Sequence, residues 1–549
     1  MRDMTAKRTE TILIGMIAAG IVIANFWHVL VSWIAMPPGT YFTWIAHYYA
    51  DYFLYASQIA EGIRGNRFVS RSLFTNEPVA ATWVYWPNVL IGNLGSMTGL
   101  SAFSSYSASL FLLVITLLFL IYAVTKRLFP TNPLTRVIGF LFAVTASNFI
   151  SLPSLFKTGT LTLWRDMWFS PTPALNRLGG VPHQALQTVL ILSVILLFER
   201  VVTAKEQPKR SGRAFIALPL LCFLAATLSP IQLLLLCAAI LLTTAIQSPS
   251  PTGLLSIGVS LMTAGIGAYL VNASFDASPV YAAAKNWESA QRVSVSLPAI
   301  LLAMGPIIFF LPFGVPAFVR TLSPMKLVFI LYGGLSLAVF VSPVPTLLHT
   351  SPIRWIHPAS LLMYYLIAAE GLLMLSRLLT DTMHRRLPTL EKTTLMTVIM
   401  NVLLCLYCLI TVPAIIHQVQ SRMTPVLSSP LNYVPREDMA ILTALAQMPE
   451  SAVVLTDPTL PYDVMIPAIA GKRSFTGHPI HTLYGSTKEQ LRTRFFSGQM
   501  TSAEAQKFLS DHTIGTVVYA YATAKPNPPY PFLRETFQNG KAAIYEVIR

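Results

Sequence analysis

The run TILIGMIAAGIVIANFWHVLVSW, residues 11–33, decides the fold. A helix needs about 20 consecutive apolar residues to cross the hydrocarbon core of a bilayer, and this run exceeds that. Arg2, Lys7 and Arg8 precede it. It is too long for the apolar core of a signal peptide, and no small-residue cleavage site closes it, so it reads as a retained first transmembrane helix.

Comparable runs recur down to about residue 416. The spans read as 11–34, 104–125, 135–155, 183–203, 214–229, 231–247, 253–271, 296–319, 325–342, 355–376 and 393–416. The 214–247 stretch has Ser229-Pro230 in its middle and is either two short helices or one broken one. Composition agrees with lipid as the main solvent. Apolar types make up 54% of the 549 residues and charged types 11%, against roughly 25% charged in a soluble domain. Mean hydropathy is +0.58. The expected class is therefore a mostly α, polytopic membrane protein of about 11 transmembrane helices spanning residues 1–416. Long loops cover 35–103 and 156–182, and a C-terminal α/β domain covers 417–549.

The net charge of +15 has a topological reading. Lys and Arg collect in short loops on the cytoplasmic side and at headgroups. With the N-terminus inside, the inner loops carry Lys126, Arg127, Arg200, Lys209, Arg385 and Arg386 among others, and the longer outer loops carry fewer. All nine tryptophans fall at outer ends or in outer loops, which implies extensive interfacial structure there. No clustered basic face on a soluble domain points to nucleic acid. Cys222, Cys237, Cys405 and Cys408 all lie in apolar runs, where cysteine acts as a small hydrophobe. No Gly-rich phosphate loop, His-Glu-x-x-His or nucleophile elbow occurs, which argues against a nucleotide-driven pump.

The first outer loop holds the strongest candidate chemistry. Tyr48, Tyr52, Tyr55, Ile59 and Ile63 follow at helical spacing and form one stripe, while His47, Asp51 and Gln58 fall on another face. The pattern predicts a helix in the outer interface, ending near Gly62 and Gly65. A carboxylate at that level needs a partner or a task. Asp51 either pairs structurally, with His47 four residues back, or serves as a general base for a hydroxyl. Glu77 is a second carboxylate, otherwise a solvated loop residue. The Trp83–Pro87 run begins a re-entrant or interfacial helix through about residue 98.

The remaining outer polar groups are candidates for an anion. Arg165 and Asp166 are adjacent, so on a helix each is free to seek its own partner; Arg177 follows. His183 opens a transmembrane helix, whose free N–H groups and dipole favour anions, or else caps it. Arg354 is the only Lys or Arg in its outer loop and precedes His357 and Pro358. Guanidinium is a natural phosphate ligand through a bidentate fork, and also a group that snorkels to headgroups. In the C-terminal segment, strands are expected at Ala452–Thr456, Gly515–Ala520 and Ala543–Ile548. Helices are expected at Arg436–Gln447, Thr487–Phe496 and Ser502–Asp511, the last opened by Thr501/Ser502 and Glu504.

Taken together these residues resemble the integral-membrane glycosyltransferases of the GT-C class. The likeness is architectural over the whole chain and strongest locally at His47–Glu61, Arg354–Gly371 and Ser474–Gly498. The last stretch reads Ser-Phe-Thr-Gly-His-Pro-Ile-His-Thr at 474–482, then Lys488 and Phe495-Phe496-Ser-Gly, and is similar to the outer domain of uncharacterised bacterial members. The resemblance implies transfer of a sugar from a polyprenyl-phosphate carrier at the outer face of the membrane, with no nucleotide. It implies that Asp51 deprotonates the acceptor in an inverting displacement and that Arg354 holds the departing phosphate, with Arg165, Arg177 and His183 as reserves. Many members carry Asp-x-Asp or Glu-x-Asp in the first loop, sometimes with a divalent cation; here position 49 is Tyr. Two other classes compete. A transporter or flippase for a lipid-linked sugar needs polar groups mid-bilayer, for which Asn148, Gln232 and Asn401 are the best. A membrane assembly protein would use the outer domain only to bind a partner.

Overall fold

The computed structural model describes residues 2–164, 171–203, 208–247, 249–291, 296–449, 453–521 and 530–548. Among these, eight helices are long and apolar enough to cross a membrane: Lys7–Ile34, Ala102–Leu128, Pro182–Val202, Pro230–Gln247, Pro251–Asp276, Pro324–Val341, Pro358–Arg386 and Lys392–Ser428. Two further apolar helices, Pro133–Thr145 and Arg213–Leu228, are shorter. The apolar run at 296–319 is broken into Leu297–Ala303, a 3-10 turn at Gly305–Phe309, and Leu311–Arg320. The 214–247 stretch is two helices, because Pro230 starts a new one and lacks the N–H that would continue the first.

The chain forms two compact units. The first comprises Met1–Trp27, Leu110–Leu270 and Ser289–Ser421. Its packing depends on small residues and buried pairs. A Cβ on Gly314 would lie 1.9 Å from the Ile367 carbonyl oxygen, and one on Gly371 would lie 1.9 Å from that of Phe310. Helices Leu311–Arg320 and Pro358–Arg386 therefore cross backbone to backbone, the way small residues join helices in lipid. Near the start of the chain, the Arg136 guanidinium forks onto the Glu10 carboxylate through Nε and Nη2, both at 2.6 Å. Lys326 meets Glu370 at 3.3 Å. Each of these buried charges is paired, because an unpaired charge taken out of water costs several kcal/mol.

The second unit comprises His28–Ser109, Val271–Glu288 and Arg422–Arg549. Strand β1 (Thr40–Phe42) pairs antiparallel with β2 (Tyr433–Pro435). A five-stranded sheet follows, with β3 (Val453–Thr456), β4 (Arg473–Ser474), β5 (Ile514–Ala520), β6 (Leu533–Gln538) and β7 (Ala542–Val547) in the order β4-β3-β5-β7-β6. The β3 strand is parallel to both neighbours, whereas β7 is antiparallel to β5 and β6. Its core is Val453, Leu455, Phe475, Phe495, Phe508, Val517 and neighbours. Helices Arg436–Ala446, Gly485–Phe496 and Ser502–Asp511 lie where the sequence pattern puts them, the last with the reciprocal Thr501/Glu504 cap.

The first loop is folded into this same unit. Helix Tyr49–Ile63 crosses helix Trp86–Thr98 at Gly62 and Gly92. Beyond it, residues 72–77 run beside β4. Ser474 N–H donates to the Leu73 carbonyl (2.8 Å), Arg473 Nη1 to that of Asn76 (2.9 Å), and Thr482 Oγ1 to that of Phe74 (2.8 Å). These bonds occupy a sheet edge that would otherwise present unpaired groups.

Candidate functional site

Asp51 sits in the first turn of helix Tyr49–Ile63, where unsatisfied N–H groups favour a negative charge. Of the expected stripe, Tyr52 and Ile59 are wholly buried, Tyr55 and Ile63 are half-buried and Tyr48 is exposed; Phe53, outside the stripe, is wholly buried as well. The opposite face is buried too: Gln58 Oε1 accepts from Asn88 Nδ2 at 2.7 Å. The helix is thus packed on both faces, which the spacing alone does not reveal.

The expected pairing of His47 with Asp51 is corrected. The helix begins only at Tyr49, and Tyr48 before it is extended, with ψ of 121°, so no helical turn links residues 47 and 51. His47 Nε2 instead lies 2.7 Å from the Tyr106 hydroxyl. Burial pushes its imidazole down to about 4; the Asp51 charge opposes this and the Arg422 charge adds to it. His47 therefore lies within the fields of both an anion and a cation.

The partner of Asp51 is His478, 427 residues away, whose Nε2 stands 3.3 Å from Asp51 Oδ1. His478 is buried. Its Nδ1 accepts N–H from Ile480 and from His481, both at 3.1 Å. A neutral imidazole has one donor and one acceptor nitrogen, so Nε2 carries the proton and donates to the carboxylate. The preceding Gly477 has φ of +151°, and a Cβ there would lie 2.6 Å from the Asp463 carbonyl oxygen. Only glycine brings the chain past that point to present His478. His481 lies edge-on to His478 at 4.8 Å and to Tyr281 at 5.5 Å. Burial, with His478 adding to it, holds the His481 imidazole well below its ordinary range.

Glu77 is bound rather than solvated. Its Oε2 accepts from Lys488 Nζ at 2.7 Å and from the Thr75 hydroxyl, and Lys488 also donates to Thr75 at 2.9 Å. Burial pushes the Glu77 carboxyl up, but the bonds from Lys488 and Thr75 outweigh it and hold it below the usual range. Burial likewise pulls the Lys488 ammonium down, against the opposing pull of Glu77. Both directions fit a charge pair taken partly out of water.

In the other unit, Arg177 is buried and spends its donors inside the fold. It bonds the carbonyls of Ala143 (3.0 Å), Thr172 (2.7 Å) and Ala146, and the Tyr365 hydroxyl (3.0 Å), and stacks over the Tyr365 ring at 4.3 Å. His183 stands in the first turn of helix Pro182–Val202. His357 caps helix Pro358–Arg386, its Nδ1 accepting from Ala359 N–H at 3.2 Å in a reciprocal box with Ser360. Arg354 lies in the turn Pro352–Trp355, its side chain exposed and its carbonyl bonded by Gln232. Gln232, expected to be a polar group in the bilayer, also accepts from the Tyr332 hydroxyl at 2.8 Å. Arg165 and Asp166 lie outside the described residues. Among the described residues, no group of three or more His, Cys, Asp or Glu could hold a metal.

His478 lies in the Gly-His-Pro-Ile-His stretch at 477–481, but no local pattern assigns it a partner. The two-histidine spacing around a proline was the available signal.

No protein-family model matches the sequence, and no curated protein matches it. Solved structures match the fold. The archaeal oligosaccharyltransferase AglB from Archaeoglobus fulgidus, in complex with an inhibitory peptide and a dolichol-phosphate, superposes with a TM-score of 0.52 at 11% identity, over 94% of this chain and 69% of that one. The arabinofuranosyltransferase AftD from Mycobacteria superposes with a TM-score of 0.53 at 13% identity, over 98% of this chain and 40% of that one. These neighbours are GT-C glycosyltransferases, the class the sequence resembles. The chain has their fold.

Proposed function

We propose that this membrane protein transfers a sugar from a polyprenyl-phosphate carrier to an acceptor hydroxyl at the outer face of the membrane, with inversion. The observation that carries this reading is Asp51: a carboxylate in a helix first turn, hydrogen-bonded by a neutral imidazole and grouped with His47. A likeness of fold to one enzyme captured with a dolichol-phosphate supports the class of donor.

In this mechanism the acceptor oxygen attacks the anomeric carbon as its proton passes to Asp51. The bond from that carbon to the phosphate oxygen breaks, and the polyprenyl phosphate leaves with the electron pair. Stabilising that charge is the larger demand. Arg354 is the proposed ligand, since its side chain is exposed and its backbone is held in a fixed turn, with His183 at a helix start as a second donor. His357 is assigned to capping and Arg177 to bracing the carbonyls around it. Glu77 anchors the loop through Lys488. A divalent cation is not required by this scheme.

The test uses purified protein in vesicles and a panel of tritiated sugars on polyprenyl phosphate. Asp51→Asn should lower transfer by about 10²–10⁴-fold, the usual worth of a general base. Equal activity would reject Asp51 as the base, and a wild type inactive with every donor would reject the transferase reading.

A further inference from the structure

The tautomer of His478 carries an inference that rests on Asp51 as base but concerns a different residue. Its Nδ1 is committed to two backbone N–H groups of its own loop, so Nε2 can only donate. The recipient is one oxygen, Asp51 Oδ1. The loop that holds it is tied in turn to residues 72–75. Thr482 Oγ1 bonds the Phe74 carbonyl while accepting the His478 N–H at 3.1 Å, and the Phe74 ring packs edge-on to the imidazole at 5.7 Å.

We infer that His478, delivered from the C-terminal α/β fold, is the positioning residue for Asp51: its Nε2–H holds Oδ1 and leaves Oδ2 to take the acceptor proton. The 3.3 Å separation is at the long end of hydrogen bonding, as contacts in unliganded active sites often are before substrate tightens them. The C-terminal fold is then part of the catalytic apparatus rather than only a docking module, because removing it removes the donor.

Two readouts separate this inference from the transferase reading. The first is a double-mutant cycle in the vesicle assay. His478→Ala should lower kcat roughly tenfold to a hundredfold, the loss expected for one hydrogen bond to a charged group, with KM for the donor within about threefold. His478→Gln, which keeps an N–H donor at similar reach, should recover most of the loss. In an Asp51→Asn background His478→Ala should cost nothing further, since the two residues act as one unit. A purely structural role would lower activity equally in both backgrounds and would not be rescued by Gln. The second readout needs no activity: nitrogen-15 solid-state spectra of histidine-labelled protein in lipid, with His478 identified by its loss in His478→Gln. An Nε2-protonated ring whose signal moves in Asp51→Ala supports the inference. An Nδ1-protonated ring, or a signal indifferent to Asp51→Ala, overturns it. An inactive wild type rejects the transferase reading alone and leaves the nitrogen spectra to decide the hydrogen bond.

Discussion

Replacing Gly92 with alanine should loosen the helix that carries Asp51, whereas the same change three residues on should not. A Cβ on Gly92 would lie 2.0 Å from the Ile59 carbonyl oxygen and 2.9 Å from the Gly62 Cα. Both opponents are backbone, so no rotamer relieves the clash. Bringing the closer contact to 3.0 Å, below which real Cβ atoms essentially never approach, requires helices Tyr49–Ile63 and Trp86–Thr98 to part by about 1 Å. A gap of that size forfeits roughly a quarter to a half of each dispersion contact along the crossing. Overpacking costs about 1–3 kcal/mol where side chains can adjust, and a backbone clash belongs at the top of that range. About 3 kcal/mol is roughly a hundredfold in the folded-to-unfolded ratio. Alanine at Gly95 meets the Ser105 hydroxyl at 2.2 Å, but a hydroxyl can rotate away. The gain of about 1 kcal/mol in helix propensity then offsets most of the remaining crowding. Unfolding in mixed micelles, titrated with sodium dodecyl sulfate and followed by circular dichroism, measures both variants. Gly92→Ala should unfold at distinctly lower denaturant and Gly95→Ala close to wild type. Equal midpoints would refute the assignment of a backbone-to-backbone crossing at Gly62 and Gly92.

Three further outcomes follow from the charges. The Glu77 carboxyl is held low in the folded protein, so its contribution is present above the unfolded value of about 4.3 and is lost as pH falls through the folded one. Glu77→Gln should cost about 1–2 kcal/mol at pH 7 by stranding Lys488, and should flatten the acid limb of a stability–pH curve; an unchanged limb would reject the pair. His47 is depressed to about 4 from an unfolded value of about 6.5, so the folded state binds its proton less readily. Stability should therefore rise by about 2 kcal/mol between pH 4 and 6.5, allowing for partial exposure, and His47→Gln should remove that slope in the same titration. Arg177→Lys keeps a charge but not the fork that reaches four carbonyls and a tyrosine. It should cost about 2–4 kcal/mol in micelle unfolding, and a neutral result would show that those carbonyls find other donors.

Much of the C-terminal sheet could be read in advance. The runs that became β3, β5 and β7 are β-branched and apolar, and the Thr501/Glu504 cap is a local signal. The sequence pattern does not show the short β1, β2 and β4, because strands of two or three residues have no periodicity to read and exist only through their partners; nor does it show the six-residue β6, whose run LRETFQ is mostly polar and lacks the apolar stretch of β3 and β5. The His47–Asp51 pairing failed for a related reason. Spacing of four residues brings side chains together only inside a helix, and the pairing of Thr40–Phe42 with Tyr433–Pro435 holds the preceding chain in an extended path.

The sequence by itself determined membrane residence, the long apolar helices, the break at Ser229-Pro230 and a helix carrying Asp51. Each of these follows from local quantities: transfer free energy summed over a run, the missing N–H of proline, and side-chain periodicity. Only the tertiary structure decided which groups surround Asp51. The bonds of His478 to Asp51, of Lys488 to Glu77 and of Ser474 to Leu73 each join residues about 400 positions apart. Such contacts leave no trace in spacing, because they are selected by the packing of two segments whose local patterns are each complete without the other.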